Sequence, residues 1–270
     1  MLDTSPFLVA PDKPLDLSSH DPNSKLGFEG KKKDGRKALP ALNRRLADLQ
    51  RKLWAESGQG LLVVLQAMDT GGKDGTIRHV FSGVNPQGVH VHGFGVPTEW
   101  EMRHDYLWRV HQRTPEKGAI TIFNRSHYED VLVVRVRGFV PEQTWSKRYE
   151  HIRDFERMLS DEGTTIVKLF LNISKDEQRE RLMARLDEPE KNWKFRRGDL
   201  DDRDLWDDYQ AAYQDALAHT SSKSAPWYVV PANRKWYRNL VVSNILIQTL
   251  ERMDPQYPEP EEGLDSVVID

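Results

Sequence analysis

A glycine-bearing segment with a single lysine, residues 66–76, has the residue types that phosphate chemistry needs. It follows a run that is apolar at every position, residues 61–65, and it precedes a helical pattern, so the order is strand, loop, helix. Glycines let backbone N–H groups turn towards phosphate oxygens, and a helix N-terminus adds its positive end. Lys73 would reach the phosphate being transferred. The predicted phosphate-binding residues of this loop are Gly71, Gly72, Lys73, Asp74, Gly75 and Thr76.

The loop departs at two positions from the common phosphate-loop pattern, GxxxxGK followed by Ser or Thr. Ala67 stands where the first glycine is expected, and Asp74 stands where the metal-binding hydroxyl is expected. The usual contact between a hydroxyl and Mg²⁺ is therefore in doubt. Asp69 is well placed to supply a carboxylate to the metal instead, and Thr76 offers a displaced hydroxyl. The alternative interpretation is an ordinary glycine-rich turn between a strand and a helix.

A second polar segment follows another apolar strand pattern, residues 119–123. An apolar strand followed by acids is similar to a Walker B segment, whose carboxylate binds Mg²⁺. The acids here come six and seven residues after the strand, so we expect them in the first turn of a helix, where the helix dipole alone also favours them. Arg125 lies at the carboxyl tip of the strand, where ligands bind in parallel sheets. The candidate residues of this segment are Asn124, Arg125, Glu129 and Asp130.

A basic segment, residues 191–197, carries four cations and two aromatic residues in seven positions. A solvated loop and a nucleic-acid groove are both possible interpretations. In a phosphate-loop protein, however, a basic loop between two late helices is typical of a lid that closes over the transferred phosphoryl group and excludes water. We therefore predict a lid at about residues 188–202. Its candidate cations, with those of the preceding helix, are Arg179, Arg181, Arg185, Lys191, Lys194 and Arg196.

Alternating apolar runs and amphipathic patterns predict the elements that would position these residues. Because strands and helices alternate along the chain, the predicted fold is α/β with a mainly parallel sheet covered on both faces. We expect an irregular arm at residues 1–24, one domain at 25–254 and an acidic, disordered tail at 255–270. The predicted strands are residues 61–65, 89–94, 119–123, 164–171 and 227–230. The predicted helices are residues 41–57, 76–82, 101–112, a helix from about 128, 142–159, 175–186, one ending near 218, and 239–253.

The composition excludes several classes of protein. The 270 residues include no cysteine, so there is no thiol nucleophile, thiolate zinc site or iron–sulfur cluster. No apolar run is long enough to span a membrane, and the N-terminus has no secretory signal pattern, so we expect a cytoplasmic protein. The net charge of −3 hides an excess of basic residues at residues 25–52, ten against three acids. Such a concentration of cations suits a polyanionic ligand.

Three stretches together resemble polyphosphate kinase family 2, the polyphosphate:nucleotide phosphotransferases. They are residues 68–75, 123–132 and 191–195, and their order and separation also match. The resemblance covers residues 26–253, and the Asn-Arg-Ser-His-Tyr-Glu-Asp block is far more specific than a general Walker pattern. Ala67 and Asp74 are normal for this family.

The resemblance implies a three-layer α/β/α P-loop kinase fold, similar to thymidylate kinase, with a helical lid. It implies Mg²⁺-dependent phosphoryl transfer from inorganic polyphosphate to nucleoside diphosphates and monophosphates, ADP to ATP and AMP to ADP, with Mn²⁺ as a substitute metal. Adenine nucleotides, with guanine nucleotides as a second choice, and a dimeric or tetrameric assembly follow from it, whereas nucleic-acid and membrane partners do not.

The resemblance also assigns roles to residues. Asp69 and Asp130 would hold the metal, with Glu129 close by. Lys73, Arg78 and Arg125 would grip the polyphosphate or the phosphoryl group in transfer, and the lid cations and Asn124 would meet the nucleotide. The acceptor pocket is expected near residues 93–98 and Glu101. We expect direct in-line transfer without a phosphoenzyme.

Two other functions fit parts of the same pattern. A conventional ATP-dependent nucleotide kinase shares the phosphate loop and lid, but it gives no reason for so many additional basic residues. A non-catalytic P-loop nucleotide-binding module would bind nucleotide without turnover, and the acidic pair and lid argue against it. An assay without polyphosphate distinguishes the first, and a turnover assay distinguishes the second.

Overall fold

The computed structural model describes residues 1–11 and 13–269. Five parallel strands form one sheet with the spatial order β2-β3-β1-β4-β5. The strands are β1 (Gly60–Gln66), β2 (Val89–Gly93), β3 (Ile120–Asn124), β4 (Thr164–Asn172) and β5 (Trp227–Pro231). All five predicted strands are present, and the predicted parallel α/β architecture is confirmed.

The central strand β1 is buried at every position, which is why residues 61–65 are all apolar, and it ends in the buried Gln66. Leu65 of β1 pairs with Asn124 of β3, and Gln66 pairs with Phe170 of β4. Both β1 and β3 therefore end at the same edge of the sheet. The chain leaves β3 for β4 on the far side of β1, so the strand order reverses beside β1, and this is where ligands bind in open α/β sheets.

Helices cover both faces of the sheet. Helices α1, α2 and α10 pack together on one face, with α10 against β4 and β5, while α6 packs on β4 and on α9. The helices are α1 (Lys32–Glu56), α2 (Lys73–Val80), α3 (Trp108–His111), α4 (Val133–Val136), α5 (Glu142–Trp145), α6 (Arg148–Asp161), α7 (Lys175–Asp187), α8 (Gly198–Asp204), α9 (Trp206–Thr220) and α10 (Lys235–Met253).

Several predicted helix boundaries were wrong. The predicted helix 101–112 is a 3₁₀ turn (Glu101–Arg103) followed by the short α3, because the Asp105 carboxylate accepts from the N–H groups of Leu107 and Trp108 and starts a new helix there. The predicted helix 142–159 is interrupted at residues 146 and 147.

Helices α1, α2 and α10 begin earlier than predicted, and the extensions of α1 and α10 matter for the candidate site. Helix α1 begins at Lys32 instead of residue 41 and continues through the exposed Pro40, and α10 begins at Lys235 instead of residue 239. Both extensions carry basic residues, and both reach the edge of the sheet where β1 and β3 end.

In the N-terminal arm the structure describes residues 1–11 and 13–24, which form two short 3₁₀ turns, Ser5–Phe7 and Leu17–Ser19, and a bridge between Leu8 and Tyr228. The Val9 N–H donates to the carbonyl of Trp227, which attaches the arm to β5. Across the described ranges, no helix has the length and apolar character required to cross a membrane.

A buried polar cluster lies beneath the acidic segment that follows β3. Lys168 on β4 is fully buried and its ammonium lies 2.5 Å from the Glu156 carboxylate. It also donates to the Tyr128 hydroxyl and to the carbonyl of Thr220. Burial lowers the pKa of Lys168 in spite of Glu156, whereas Lys168 and His127 outweigh burial and lower the pKa of Glu156. Because Tyr128 is adjacent to Glu129, this cluster fixes the backbone that carries the acids.

Replacing Lys168 by methionine is expected to lower the free energy of unfolding by about 3–5 kcal/mol, because Glu156 would remain buried without a counter-charge. Urea unfolding measures the change. The double variant Lys168→Met/Glu156→Gln serves as the control, because it removes both charges and is expected to recover most of the loss. A single variant as stable as the wild type would contradict the pairing.

Candidate active site

A cleft of about 1240 Å³ opens at the edge of the sheet where β1 and β3 end. Its walls come from the phosphate loop, the N-terminal part of α1, the tips of β2 and β3, α7 with the 188–202 segment, and the N-terminal part of α10. Cations from five of these elements line it: Lys32, Arg36, Lys73, Arg78, Arg125, Arg181, Arg185, Lys191, Lys194, Arg196, Arg234, Lys235 and Arg238. The cleft is therefore built for a strongly anionic ligand.

The phosphate loop has the close backbone packing that its glycines predict. Gly72 has a φ of 99°, and a Cβ there would lie 2.1 Å from Arg238 Nη1. A Cβ on Gly71 would lie 2.4 Å from the Cβ of Ala67. Only glycine fits at either position. The first N–H groups of α2, from Lys73 to Gly75, have no acceptor within the helix and are available to phosphate oxygens.

Side chains behind the loop hold its carbonyl groups. Arg181 donates to the carbonyl of Thr70 at 2.9 Å, and Arg238 donates to the carbonyl of Gly72 at 3.2 Å. Lys73 donates to the carbonyl of Ala67 at 2.9 Å, so its ammonium folds back over the loop. Burial lowers the pKa of Lys73, and Arg125 adds to this effect. A phosphate group that enters the loop would offset both the burial of the ammonium and its repulsion by Arg125.

Asp69 and Arg125 form an ion pair across the floor of the cleft. Arg125 Nη2 donates to Asp69 Oδ1 at 2.5 Å. Burial opposes ionisation of both groups, but Arg125 and Lys73 outweigh it and lower the pKa of Asp69. In the same way Asp69 and Glu129 raise the pKa of Arg125. Arg125 adopts the left-handed backbone region, with a φ of 63°, at the tip of β3. Such a conformation is costly for a residue with a side chain and is typical of functional sites.

The structure places the two predicted acids differently. Glu129 interacts with Asp69, Lys73 and Arg125, and burial raises its pKa. Gln66, with its amide turned to satisfy both of its neighbours, donates to Glu129 Oε1 at 3.1 Å.

Asp130 has different partners. It pairs with Arg148 at 3.2 Å, and burial raises its pKa to about 6. Its nearby charges are Arg148, Arg109 and Glu129, and it does not line the cleft. A 3₁₀ turn (His127–Asp130) separates the two acids in this way, where a regular helix was predicted.

The donor set near the loop suits a hard divalent cation. No group of three or more His, Cys, Asp or Glu residues within residues 1–11 and 13–269 is arranged to hold a metal ion. Mg²⁺, however, usually binds through one or two carboxylates together with water and substrate phosphates. Asp69, which lines the cleft, and Glu129 behind it fit that mode of binding.

The 188–202 segment faces the phosphate loop. Lys194 Nζ lies 3.9 Å from Asp74 Oδ2, and Asn124 donates to Asp74 Oδ1 at 2.8 Å. Arg185 donates to the carbonyl of Lys194 and to Asp199. Asp74 therefore connects the loop, the tip of β3 and this segment, which explains a carboxylate at the position where a hydroxyl is usual.

The predicted cations of this region divide by helix face. Arg181 and Arg185 line the cleft, as do Lys191, Lys194 and Arg196, whereas Arg179 is exposed on α7 outside the lining. Residues two positions apart on a helix point in nearly opposite directions, so Arg179 and Arg181 cannot both face the cleft. Thr76 is buried and donates to the carbonyl of Gly72, so its hydroxyl stabilises the loop.

The predicted acceptor region is only partly on the cleft. Gly93, Phe94 and Gly95 line it, whereas Val96 is 93% exposed. Glu101 lies 3.5 Å from Arg109, which also donates to the carbonyl of Gly95.

Sequence reasoning missed the contribution of α10. Arg238 is 1% exposed, and no acidic group in the described part of the chain pairs with it. Burial and the neighbouring Arg181 lower its pKa to about 9. Lys235, whose pKa burial also lowers, lies on the same helix turn. The sequence does show these cations, as a basic run at residues 234–238, but the predicted helix began only at residue 239.

Replacing Arg238 by glutamine is expected to reduce the rise in melting temperature that an added polyanion such as polyphosphate causes, because the variant loses a buried cation that a bound anion would neutralise. Differential scanning fluorimetry with and without polyphosphate measures it. Arg252→Gln, at the exposed end of the same helix, is the matched control. Equal ligand-induced shifts in wild type and Arg238→Gln would show that Arg238 does not meet the anion.

Comparisons with known proteins identify the family. The model of the family "Polyphosphate kinase 2 (PPK2)" matches residues 29–258. The chain belongs to this family. The AMP/ADP-polyphosphate phosphotransferase of Meiothermus ruber is 62% identical over 264 residues, which are 98% of this chain and 99% of the relative. The ADP-polyphosphate phosphotransferase of Rhodopseudomonas palustris is 45% identical, with 95% and 92% covered.

A solved structure agrees with this assignment. The crystal structure of polyphosphate kinase 2 from Arthrobacter aurescens TC1 has a TM-score of 0.91 and 44% identity, and the match covers 96% of each chain. The chain is thus an enzyme with the P-loop kinase-like fold, and the predicted membership of polyphosphate kinase family 2 is confirmed. Enzymes of the PPK2 family generally need a divalent metal.

Proposed function

We propose that this PPK2 enzyme transfers the terminal phosphoryl group of inorganic polyphosphate to ADP and AMP, with Mg²⁺ as the metal and Mn²⁺ as a substitute. The observation that carries the proposal is the cleft itself, in which cations from five structural elements surround one phosphate loop. Donor and acceptor are both polyanions, so one basic loop would not neutralise them. The name of the Meiothermus ruber relative supports this donor and both acceptors, and the name of the Rhodopseudomonas palustris relative supports the donor and ADP.

The residues divide into three groups by position. The loop N–H groups, Lys73 and Arg78 bind the reacting end of the polyphosphate. Asp69 and Glu129 would hold the metal, which would neutralise charge on the reacting phosphates. Asp130, which the sequence favoured as a ligand, supports this segment through Arg148. The nucleotide phosphates are bound by the cations of the 188–202 segment, Lys191, Lys194 and Arg196, together with Arg185 of α7.

Transfer requires positioning and charge neutralisation more than covalent catalysis. Arg125 interacts with Asp69 and Glu129, lines the cleft, and can contact the phosphoryl group as it moves between the two substrates. The acceptor oxygen of ADP or AMP is already ionised, so no strong base is needed. Transfer is therefore direct, in line and reversible, without a phosphoenzyme. Phosphohistidine or phosphoaspartate formed in stoichiometric amount during turnover would contradict this step.

The 188–202 segment acts as the lid. Its Lys194 already approaches Asp74, and the neighbouring Trp193 is 77% exposed at the cleft. A nucleotide between the two sides would draw Lys191 and Lys194 inward and exclude water from the reaction. We further propose a cytoplasmic dimer or tetramer that prefers adenine to guanine nucleotides and has no nucleic-acid or membrane partner.

The acceptors are tested with purified protein, Mg²⁺ and polyphosphate, with AMP or ADP supplied separately and products separated by chromatography. ATP from ADP, and ADP followed by ATP from AMP, are the expected results. ATP from ADP with no product from AMP would limit the function to diphosphates. No product from either, together with turnover when ATP replaces polyphosphate, would favour the conventional kinase.

A further inference from the structure

A second cavity, which we call the α1–α2 groove, lies between helices α1 and α2 and has a volume of about 640 Å³. It shares Arg36, Leu39, Arg78 and His79 with the active-site cleft, so the two spaces are adjacent. Beyond these shared residues the groove extends along Arg44 and Arg51 of α1. It therefore leads away from the phosphate loop along the surface of the protein.

The groove has a regular row of cations. Arg36, Arg44 and Arg51 are separated by eight and seven residues, so they lie on one face of α1. At a rise of 1.5 Å per residue, the row extends about 22 Å. The opposite wall is fixed, because the Asn43 amide donates to the carbonyl of His79 and to the Ser82 hydroxyl, both at 2.8 Å.

The protein neutralises little of the charge in this row, although the carboxylate of Asp48 also lines the groove. Among the described residues, no acidic group pairs with Arg36, Arg44 or Arg78. Arg51 lies 3.4 Å from Asp48, but both side chains are about 60% exposed, and such a pair contributes little. In contrast Arg45, on another face of α1, pairs with Glu251 at 2.9 Å.

We propose that the α1–α2 groove binds the distal phosphates of a long polyphosphate whose reacting end lies at the phosphate loop. This inference rests on the proposed donor. A linear polyanion suits a narrow row of exposed arginines that begins at the catalytic cleft. Single-stranded nucleic acid is a poorer fit, because such sites stack bases on aromatic side chains, and the residues that line the groove include no Phe, Tyr or Trp.

The groove makes recognition depend on chain length. A short donor such as tetrapolyphosphate ends within the main cleft and does not reach Arg44 or Arg51. A long donor occupies both spaces and gains contacts that are made equally in the ground state and in the transition state. Such uniform binding lowers KM and leaves kcat unchanged.

The test compares Arg44→Gln/Arg51→Gln with the matched control Arg45→Gln, which changes the same residue type on the same helix outside the groove. The double variant is expected to raise KM for long-chain polyphosphate roughly tenfold, because two phosphate contacts are lost. KM for tetrapolyphosphate and kcat with either donor should stay within about twofold. Added salt should raise KM for the long donor less in the double variant than in the wild type.

Equal changes for the long and the short donor, or no change for the long one, would overturn the proposal. The proposal would also be overturned if the double variant lost affinity for single-stranded nucleic acid while its KM for long polyphosphate was unchanged. Calorimetric binding of long polyphosphate to the wild type and the double variant adds a readout that does not depend on turnover. If the wild type binds long polyphosphate through Arg44 and Arg51 but transfers no phosphoryl group, the proposed function is wrong and the proposed binding site is still supported.

Discussion

Replacing Lys73 by alanine is expected to lower kcat by at least ~100-fold, the usual cost of losing one preorganised positive group that faces developing charge in a transition state. The Lys73 ammonium folds over the loop towards the carbonyl of Ala67, where a bound phosphate would attract it. Burial and Arg125 already oppose its charge, so the incoming phosphate is the partner that stabilises it. Initial rates with polyphosphate and ADP measure the effect.

The control for this experiment is Lys223→Ala. Lys223 is exposed and precedes β5, so it lies at the opposite edge of the sheet from the cleft. Circular dichroism should show the same fold for both variants. A Lys73 variant with nearly wild-type kcat would mean that this ammonium does not contact the transferred group.

Replacing Asp69 by asparagine should weaken the apparent affinity for Mg²⁺ at least ~10-fold and lower kcat as well, because the metal loses a carboxylate ligand. The change also replaces the charged partner of Arg125, which lies 2.5 Å away, by a neutral amide, so the guanidinium would be held less firmly for the phosphoryl group. The dependence of rate on Mg²⁺ concentration separates the two effects. Excess Mg²⁺ compensates for the weaker metal affinity, but it does not restore the rate that is lost through Arg125.

A pair of further variants decides which acid assists Asp69. Glu129 lies with Asp69 and Lys73, whereas Asp130 lies with Arg148. Glu129→Gln should therefore shift the Mg²⁺ dependence more than Asp130→Asn does. The reverse order would restore Asp130 as the metal ligand, as the sequence pattern suggested.

Much of the fold could be predicted because its strongest signals are local. Residues 61–65 of β1 are all apolar because helices cover both faces of the sheet. Gly71 and Gly72 of the loop mark positions where a Cβ would collide with Ala67 or Arg238. The loop, the tip of β3 and the 188–202 segment were predicted separately, and the sheet brings them to one cleft.

The rest depended on information that spacing alone does not carry. The polar start of α10 hid Lys235 and Arg238, because a basic run gives no apolar period to define a helix. The rotation of α7 about its own axis decides that Arg181 faces the cleft while Arg179 does not. Tertiary packing sets that rotation. A tight turn after β3 likewise gives Glu129 and Asp130 different partners, which the sequence pattern of two adjacent acids does not show.

The most direct test of the central claim is the initial rate of ATP formation from ADP with polyphosphate as the sole donor and with ATP removed beforehand. AMP must be measured in the same samples, because a contaminating adenylate kinase would form ATP and AMP together from ADP alone. The account predicts ATP without matching AMP, formation that stops when polyphosphate is digested in advance, and almost none with Lys73→Ala. ATP formation that continues after digestion of the polyphosphate, or none in its presence, would contradict it.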